Sequence, residues 1–210
     1  MKIDFLVYFC RAMNGMTKAE RTKQFILETA ATIYNEKGLF GTGVDDILAA
    51  TQLTKGCLYS HFENKEDLTL QVADYLLQKT CDGMSKVLSG SGTVKEKIFA
   101  YLDFCKAPLR PPIQGGCPMF NLAVEADDHL PVIKRKVSDA FIKTQKFLTG
   151  LLTEGIKKKE FDASLDAEAF SFKILAATEG GTVICRSMDT NKPMQGLIKS
   201  LKEELEQYLL

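Results

Sequence analysis

The sequence predicts an all-α fold in two parts, a small helix-turn-helix unit near the N-terminus followed by a larger helical body. Three observations carry this. Apolar residues recur at three- and four-residue spacing almost throughout, and no stretch alternates as a strand does. The run Gly41–Leu68 holds two short helices, a tight turn between them and then a longer helix, the arrangement of a DNA-reading helix-turn-helix. Glycine and proline clusters then divide the remaining chain into helix-length pieces.

The first helix is expected over Thr17–Lys37. Thr17 with Glu20 makes a capping box, Ile26, Ala30 and Ile33 mark one face, and Gly38 stops it. A second helix is expected over Val44–Thr51 and a third over Lys55–His61. A fourth begins after Asn64, which with Asp67 again resembles a capping box. Its face is Leu68, Val72, Tyr75 and Leu76. Gly83 to Thr93 reads as a loop. Val94, Ile98, Tyr101, Leu102 and Cys105 then mark a fifth helix, which ends before Pro108, Pro111, Pro112 and the pair Gly115-Gly116. A short helix over Met119–Ala126 and a long one over Pro131–Lys159 follow. The last two run over Asp166–Met188 and Pro193–Tyr208. The resulting division is an N-terminal extension (1–16), a helix-turn-helix domain (17–64) and a helical domain (65–210).

Charge does not announce a partner. Lys plus Arg equal Asp plus Glu, 27 against 27, so any DNA contact must come from local placement rather than a basic domain. Apolar residues make up 45%, ample for a core. The six cysteines form no Cys-x-x-Cys pair and have no His at ligand spacing. Free thiols in a reducing cytoplasm are expected, with no metal and no cofactor. Phe5 to Cys10 is too short for a secretion signal, no segment approaches a membrane span, and the first fifteen residues read as an alternative start or a loose arm.

A recognition helix must be slim where it meets the DNA backbone. Lys55-Gly56-Cys57 opens the third helix with a cation and two small residues. Leu58 and Phe62 share its inward face, while Tyr59 and His61 project elsewhere and Lys65 lies just beyond. In the penultimate helix Phe170, Ile174, Ala177, Gly181 and Ile184 form one stripe, flanked by Ala176 and Gly180. The stripe suits either packing within the chain or a subunit interface. The interface is preferred because helix-turn-helix proteins read paired half-sites about 34–36 Å apart. Leu197, Leu201 and Leu205 on the last helix join the candidate interface with Ile174, Ala177, Gly181 and Ile184.

The run Val44-x-Asp46-Ile47, Ala49-Ala50, Leu53-Thr54-Lys55-Gly56-x-Leu58-Tyr59-x-His61-Phe62-x-Asn64-Lys65-Glu66-x-Leu68, preceded by Gly38-Leu39-Phe40, resembles the DNA-binding domain of TetR-type transcriptional repressors. The resemblance implies a homodimer that binds a palindromic double-stranded DNA operator. It also implies a C-terminal domain for ligand binding and dimerisation, and release of DNA when a small molecule binds there. Carried over residue by residue, it implies a phosphate contact for Thr42, with Gly43 beside it. Thr54, Lys55 and Gly56 stand at the front of the recognition helix, Tyr59 and Lys65 grip phosphates, and Cys57, Ser60 and His61 touch bases or backbone. Two positions depart from the pattern. Gln52 stands where the turn usually has Gly, which costs on the order of 1 kcal/mol if that position needs a positive φ. Gly43 replaces a hydroxyl residue, so one phosphate contact is missing.

Gly115-Gly116-Cys117-Pro118-Met119-Phe120-Asn121-Leu122-Ala123-x-Glu125 resembles a segment of one TetR-type branch, a Gly-Cys-Pro turn leading into a helix. Near it Phe104, Cys105, Met119, Phe120, Cys185 and Met188 are candidates, with Cys117, to line a site for an apolar or amphipathic effector; solid core is the alternative. Cys117 at a helix start could also be a low-pKa thiol that senses oxidants or electrophiles. Catalytic motifs are missing, the only histidines are His61 and His129, and Asp127-Asp128-His129 reads as a solvated linker. An enzyme is therefore not expected. A helical interaction protein that no longer binds DNA, or an activator, remains an alternative to a repressor.

Overall fold

A computed structural model describes the chain from Gly15 to Leu210, and every regular element among those residues is helical. In chain order these are α1 (Lys18–Lys37), α2 (Val44–Thr51), α3 (Lys55–Tyr59), α4 (Lys65–Leu88), α5 (Val94–Phe104), α6 (Pro118–Ala126), α7 (Pro131–Lys157), α8 (Ala167–Ser187) and α9 (Lys192–Glu206). The N-terminal extension assigned to 1–16 lies almost wholly outside the described residues. The chain divides into two compact units, one reaching to Tyr75 and the other Leu76–Leu210. The first turns of α4 thus belong with the helix-turn-helix, where Thr69 hydrogen-bonds the Tyr34 hydroxyl at 2.9 Å.

In the first unit local chemistry sets the helix ends. Thr17 Oγ1 accepts from the Glu20 amide at 3.2 Å, and Glu20 Oε2 accepts from the Thr17 amide at 2.7 Å, satisfying two of the donors that a helix start leaves open. Gly38, at φ 82°, closes α1 by donating to the Tyr34 carbonyl. Gly43 has no side chain to cap α2, so Asp46 supplies half of a box by accepting from the Gly43 amide at 2.8 Å. Lys37 pairs with the same carboxylate at 2.6 Å, joining the end of α1 to the start of α2. Lys37 and then the Gly43 amide hold the Asp46 carboxyl below its ordinary pKa.

In the second unit α8 lies against α7 and α9, α6 lies against α7, and α5 touches both α7 and α9. Met84, Leu88, Ile98, Leu102, Leu148, Leu152, Phe170, Ile174, Ile198 and Leu205 are among the residues of its core. Thr93 with Glu96 caps α5 reciprocally. Glu160 Oε2 accepts from the Val94 amide at 2.7 Å, tying that start to the chain after α7. Gly155 lets α7 pass close to Phe161: a Cβ there would stand 2.5 Å from the ring.

Two expectations of the sequence fail in this unit. The loop expected from Gly83 begins only after Leu88, because Met84 and Leu88 are buried in the core and their burial outweighs the roughly 1 kcal/mol cost of a helical glycine. The interface expected on α8 and α9 is largely interior. Ile174, Leu201 and Leu205 are buried in the chain's own core, and Ala177 and Leu197 pack against it. A Cβ on Gly181 would meet Met194 at 2.9 Å and Leu197 at 3.1 Å, so the small residue serves the α8–α9 contact. Of that set only Ile184, 54% exposed, faces outward.

Candidate nucleic-acid interface and effector unit

Leu58 and Phe62 are buried and anchor α3, while Lys23 lies 5.3 Å from the Phe62 ring centroid, a cation–π contact that helps to hold the anchor. Thr54 Oγ1 accepts from the Cys57 amide at 3.2 Å and Ser60 Oγ donates to the Cys57 carbonyl at 2.7 Å. Asn64 Oδ1 accepts from the Asp67 amide at 2.9 Å and Asp67 accepts from the Glu63 amide at 3.0 Å, so α4 starts rigidly and Lys65 is placed at its first position. The turn before α3 runs through Gln52 at φ 58° and ψ 26°. The sequence departure is therefore a strained one, and Gln52 Nε2 answers it by donating to the Ala49 carbonyl at 2.5 Å.

Most of the expected DNA-contacting residues remain accessible to solvent. Thr54, Lys55, Gly56, Ser60 and Lys65 are exposed or nearly so, and Cys57, Tyr59, His61 and Gly43 are partly exposed. Thr42 departs from them. It is 1% exposed and its hydroxyl donates to the Gly38 carbonyl at 2.8 Å, so its side chain fastens the turn before α2 instead of meeting a phosphate. Gly56 stands in open space. It has ordinary backbone angles, and the nearest atom to a Cβ placed there is Thr54 Oγ1 at 4.0 Å. Nothing among the described residues requires a glycine at this position.

The N-terminal part matches the family described as bacterial regulatory proteins of the TetR family over residues 26–72. The C-terminal part matches the tetracyclin repressor-like C-terminal domain over residues 94–201. The chain belongs to the TetR family of transcriptional regulators. Similar solved structures include a TetR transcriptional regulator from Chloroflexus aurantiacus J-10-FL (33% identity, 92% of this chain and 98% of that one, TM-score 0.87). A TetR-family regulator from Cytophaga hutchinsonii gives 30% identity, 93% and 98% coverage and a TM-score of 0.83. The HTH-type transcriptional repressor DhaR of Mycobacterium sp. (strain GP1) is 21% identical over 183 residues, 87% of this chain and 91% of its own length. The helix-turn-helix of this TetR-family chain is thus a DNA-binding unit of a transcriptional regulator. Among the described residues no helix is long and apolar enough to cross a membrane.

The effector residues expected from sequence separate in the structure. Met119 and Cys185 are buried, and Cys105, Cys117 and Phe120 are buried or half-buried. Phe104 is 46% and Met188 60% exposed; both are corrections, since each sits at the solvent side of its helix end and lines no interior. Surface grooves of about 660 Å³ along α7, lined by Ile142, Lys146 and Gly150 among others, and of about 570 Å³ beside α9, lined by Phe99, Lys106 and Lys202, include none of the expected residues.

Cys117 caps α6, and its thiol donates to Glu179 Oε1 at 3.2 Å. Burial first, and Glu179 second, push that thiol well above its ordinary pKa, against the opposing pull of the Phe120 and Met119 amides. The helix start that suggested a reactive thiolate is outweighed by desolvation. Cys105, buried beside Tyr101, is likewise pushed up to about 12. Sequence reasoning missed Tyr101 and Glu179, which face these thiols. The available signal was that Glu179 is the only charged residue between Leu175 and Cys185.

Proposed function

We propose that the protein is a ligand-responsive repressor. In this reading it binds a palindromic operator as a homodimer through α3, and leaves the DNA when a small molecule enters the C-terminal unit. The observation that carries the DNA-binding face is Gly56. A glycine inside a helix is destabilising by roughly 0.5–1 kcal/mol relative to alanine, and open space surrounds this one. A bare backbone flanked by Lys55, Tyr59 and Lys65 suits close approach of a phosphate strand, with Cys57, Ser60 and His61 toward the bases. Repression, rather than activation, is supported by what DhaR's name says of that relative.

Dimerisation is assigned to the outward face of α8. Phe172, 60% exposed, shares a face at helical spacing with Ala176 and Val183, which are also exposed. A Cβ on Gly180, beside them, would meet nothing. Phe172→Asp is expected to give monomers in analytical ultracentrifugation with an unchanged far-ultraviolet spectrum. For DNA, fluorescence anisotropy with the chain's own upstream sequence tests the reading. Tyr59→Phe with Lys65→Ala should weaken binding to every sequence alike. It should also make the salt dependence shallower, by about one unit of slope for each phosphate that the protein no longer neutralises. Unchanged affinity and slope in the double variant would count decisively against α3 as the reading element.

A further inference from the structure

We infer that Glu179 anchors the effector, and that the effector is an amphipathic cation, a protonated amine carried on an apolar body. The inference rests on the repressor reading and adds the chemistry of its ligand. One oxygen of the Glu179 carboxyl accepts from the Cys117 thiol at 3.2 Å. The other, Oε2, is buried with no hydrogen-bond partner, and such atoms are rare enough in folded chains to need a reason. The phenol of Tyr101 and the thiol of Cys105 lie within the carboxyl's field. Leu102 and Leu175, one residue from Tyr101 and four from Glu179 along their helices, belong to the apolar core.

The cluster therefore combines an orphaned acceptor, a phenol, two polarisable sulfurs and apolar walls. No cation is among the groups acting on Glu179, whose carboxyl burial pushes upward and the Cys117 thiol pulls back. A neutral donor would satisfy Oε2 but leave the carboxyl to be ionised or kept protonated at its own cost. An anion would be repelled. An ammonium satisfies the oxygen and supplies the missing charge, and a charge-assisted hydrogen bond in a dry site is among the strong ones. Apolar walls then choose the rest of the molecule.

Three probes on one skeleton test this with the full-length protein: 4-phenylbutylamine, 4-phenylbutanol and 4-phenylbutyrate, each titrated calorimetrically. The amine is expected to bind and the acid not to, with the alcohol at least about tenfold weaker than the amine; Glu179→Gln should weaken the amine about tenfold or more. Should the variant fold poorly, the wild type alone decides. Equal binding of acid and amine, amine binding untouched in Glu179→Gln, or no amine binding up to about 10 mM overturns the assignment. Operator binding by the ligand-free protein is measured alongside. Its absence sinks the repressor reading whatever the amine does, and its presence with any of those three results sinks only the Glu179 site.

Discussion

Replacing Gly56 with alanine should move stability and DNA affinity in opposite directions. A Cβ at this position would have Thr54 Oγ1 as its nearest neighbour at 4.0 Å, ordinary van der Waals contact, and the backbone is already helical. The Thr54 cap to the Cys57 amide is therefore kept. Alanine gains about 0.5–1 kcal/mol from helix preference and reduced freedom in the unfolded chain. In the proposed complex the same methyl would lie where the backbone of α3 meets DNA. Overpacking a closely fitted contact costs about 1–3 kcal/mol, or about 5- to 150-fold in Kd. Thermal denaturation at fixed protein concentration reads the first effect, and anisotropy at one stated salt concentration reads the second. A variant that is more stable and binds its operator as tightly as the parent would refute the idea that DNA explains this glycine. A less stable variant would refute the reading of open space around it.

Three further outcomes are expected. Two glycines of α7 should respond oppositely to alanine: Gly150, with nothing within 4 Å, gains about 0.5–1 kcal/mol, whereas Gly155, whose Cβ would stand 2.5 Å from the Phe161 ring, loses about 1–2 kcal/mol after the same helix gain is subtracted; urea midpoints at constant slope check the pair. Glu179 has its pKa raised in the folded chain, so the native state holds the proton where the unfolded chain has released it. Stability should fall as pH rises from the ordinary Glu value through the folded one, and Glu179→Gln should remove that part of the slope in melts taken between those limits. The Cys117 thiol, buried against Glu179 and held protonated, should resist alkylation in the native protein at neutral pH and react freely in urea; peptide mass spectrometry after brief iodoacetamide treatment checks it, and rapid native labelling would restore the thiol-sensor alternative.

Helix ends were legible wherever a short-range device sets them. The Thr17–Glu20 box, the Gly38 stop and the Pro131 start appear where residue chemistry places them, because caps and proline act within one turn of chain. The exposed face of α3 was legible for the same reason. In a five-residue helix, spacing alone separates the buried Leu58 and Phe62 from the exposed Lys55 and Gly56. Thr42 was misread because its hydroxyl had two acceptors to choose from, an external phosphate and the Gly38 carbonyl four residues back, and a turn that buries the residue favours the near one.

What lies beyond one helix was decided by the tertiary structure. The amino-acid order by itself determined an all-helical chain with a helix-turn-helix whose last helix begins at Lys55, since period, caps and turns are local. It could not say which of two apolar stripes on α8 meets α9 and which stays exposed. Ile174 and Phe172 are both apolar helical positions, and only the neighbouring helices make one buried and the other 60% exposed. Nor could it place Cys117 against Glu179, 62 residues apart. That juxtaposition, which raises a thiol's pKa where the helix start alone would lower it, exists only once α6 and α8 are packed, because desolvation is a property of the assembled core and not of either segment.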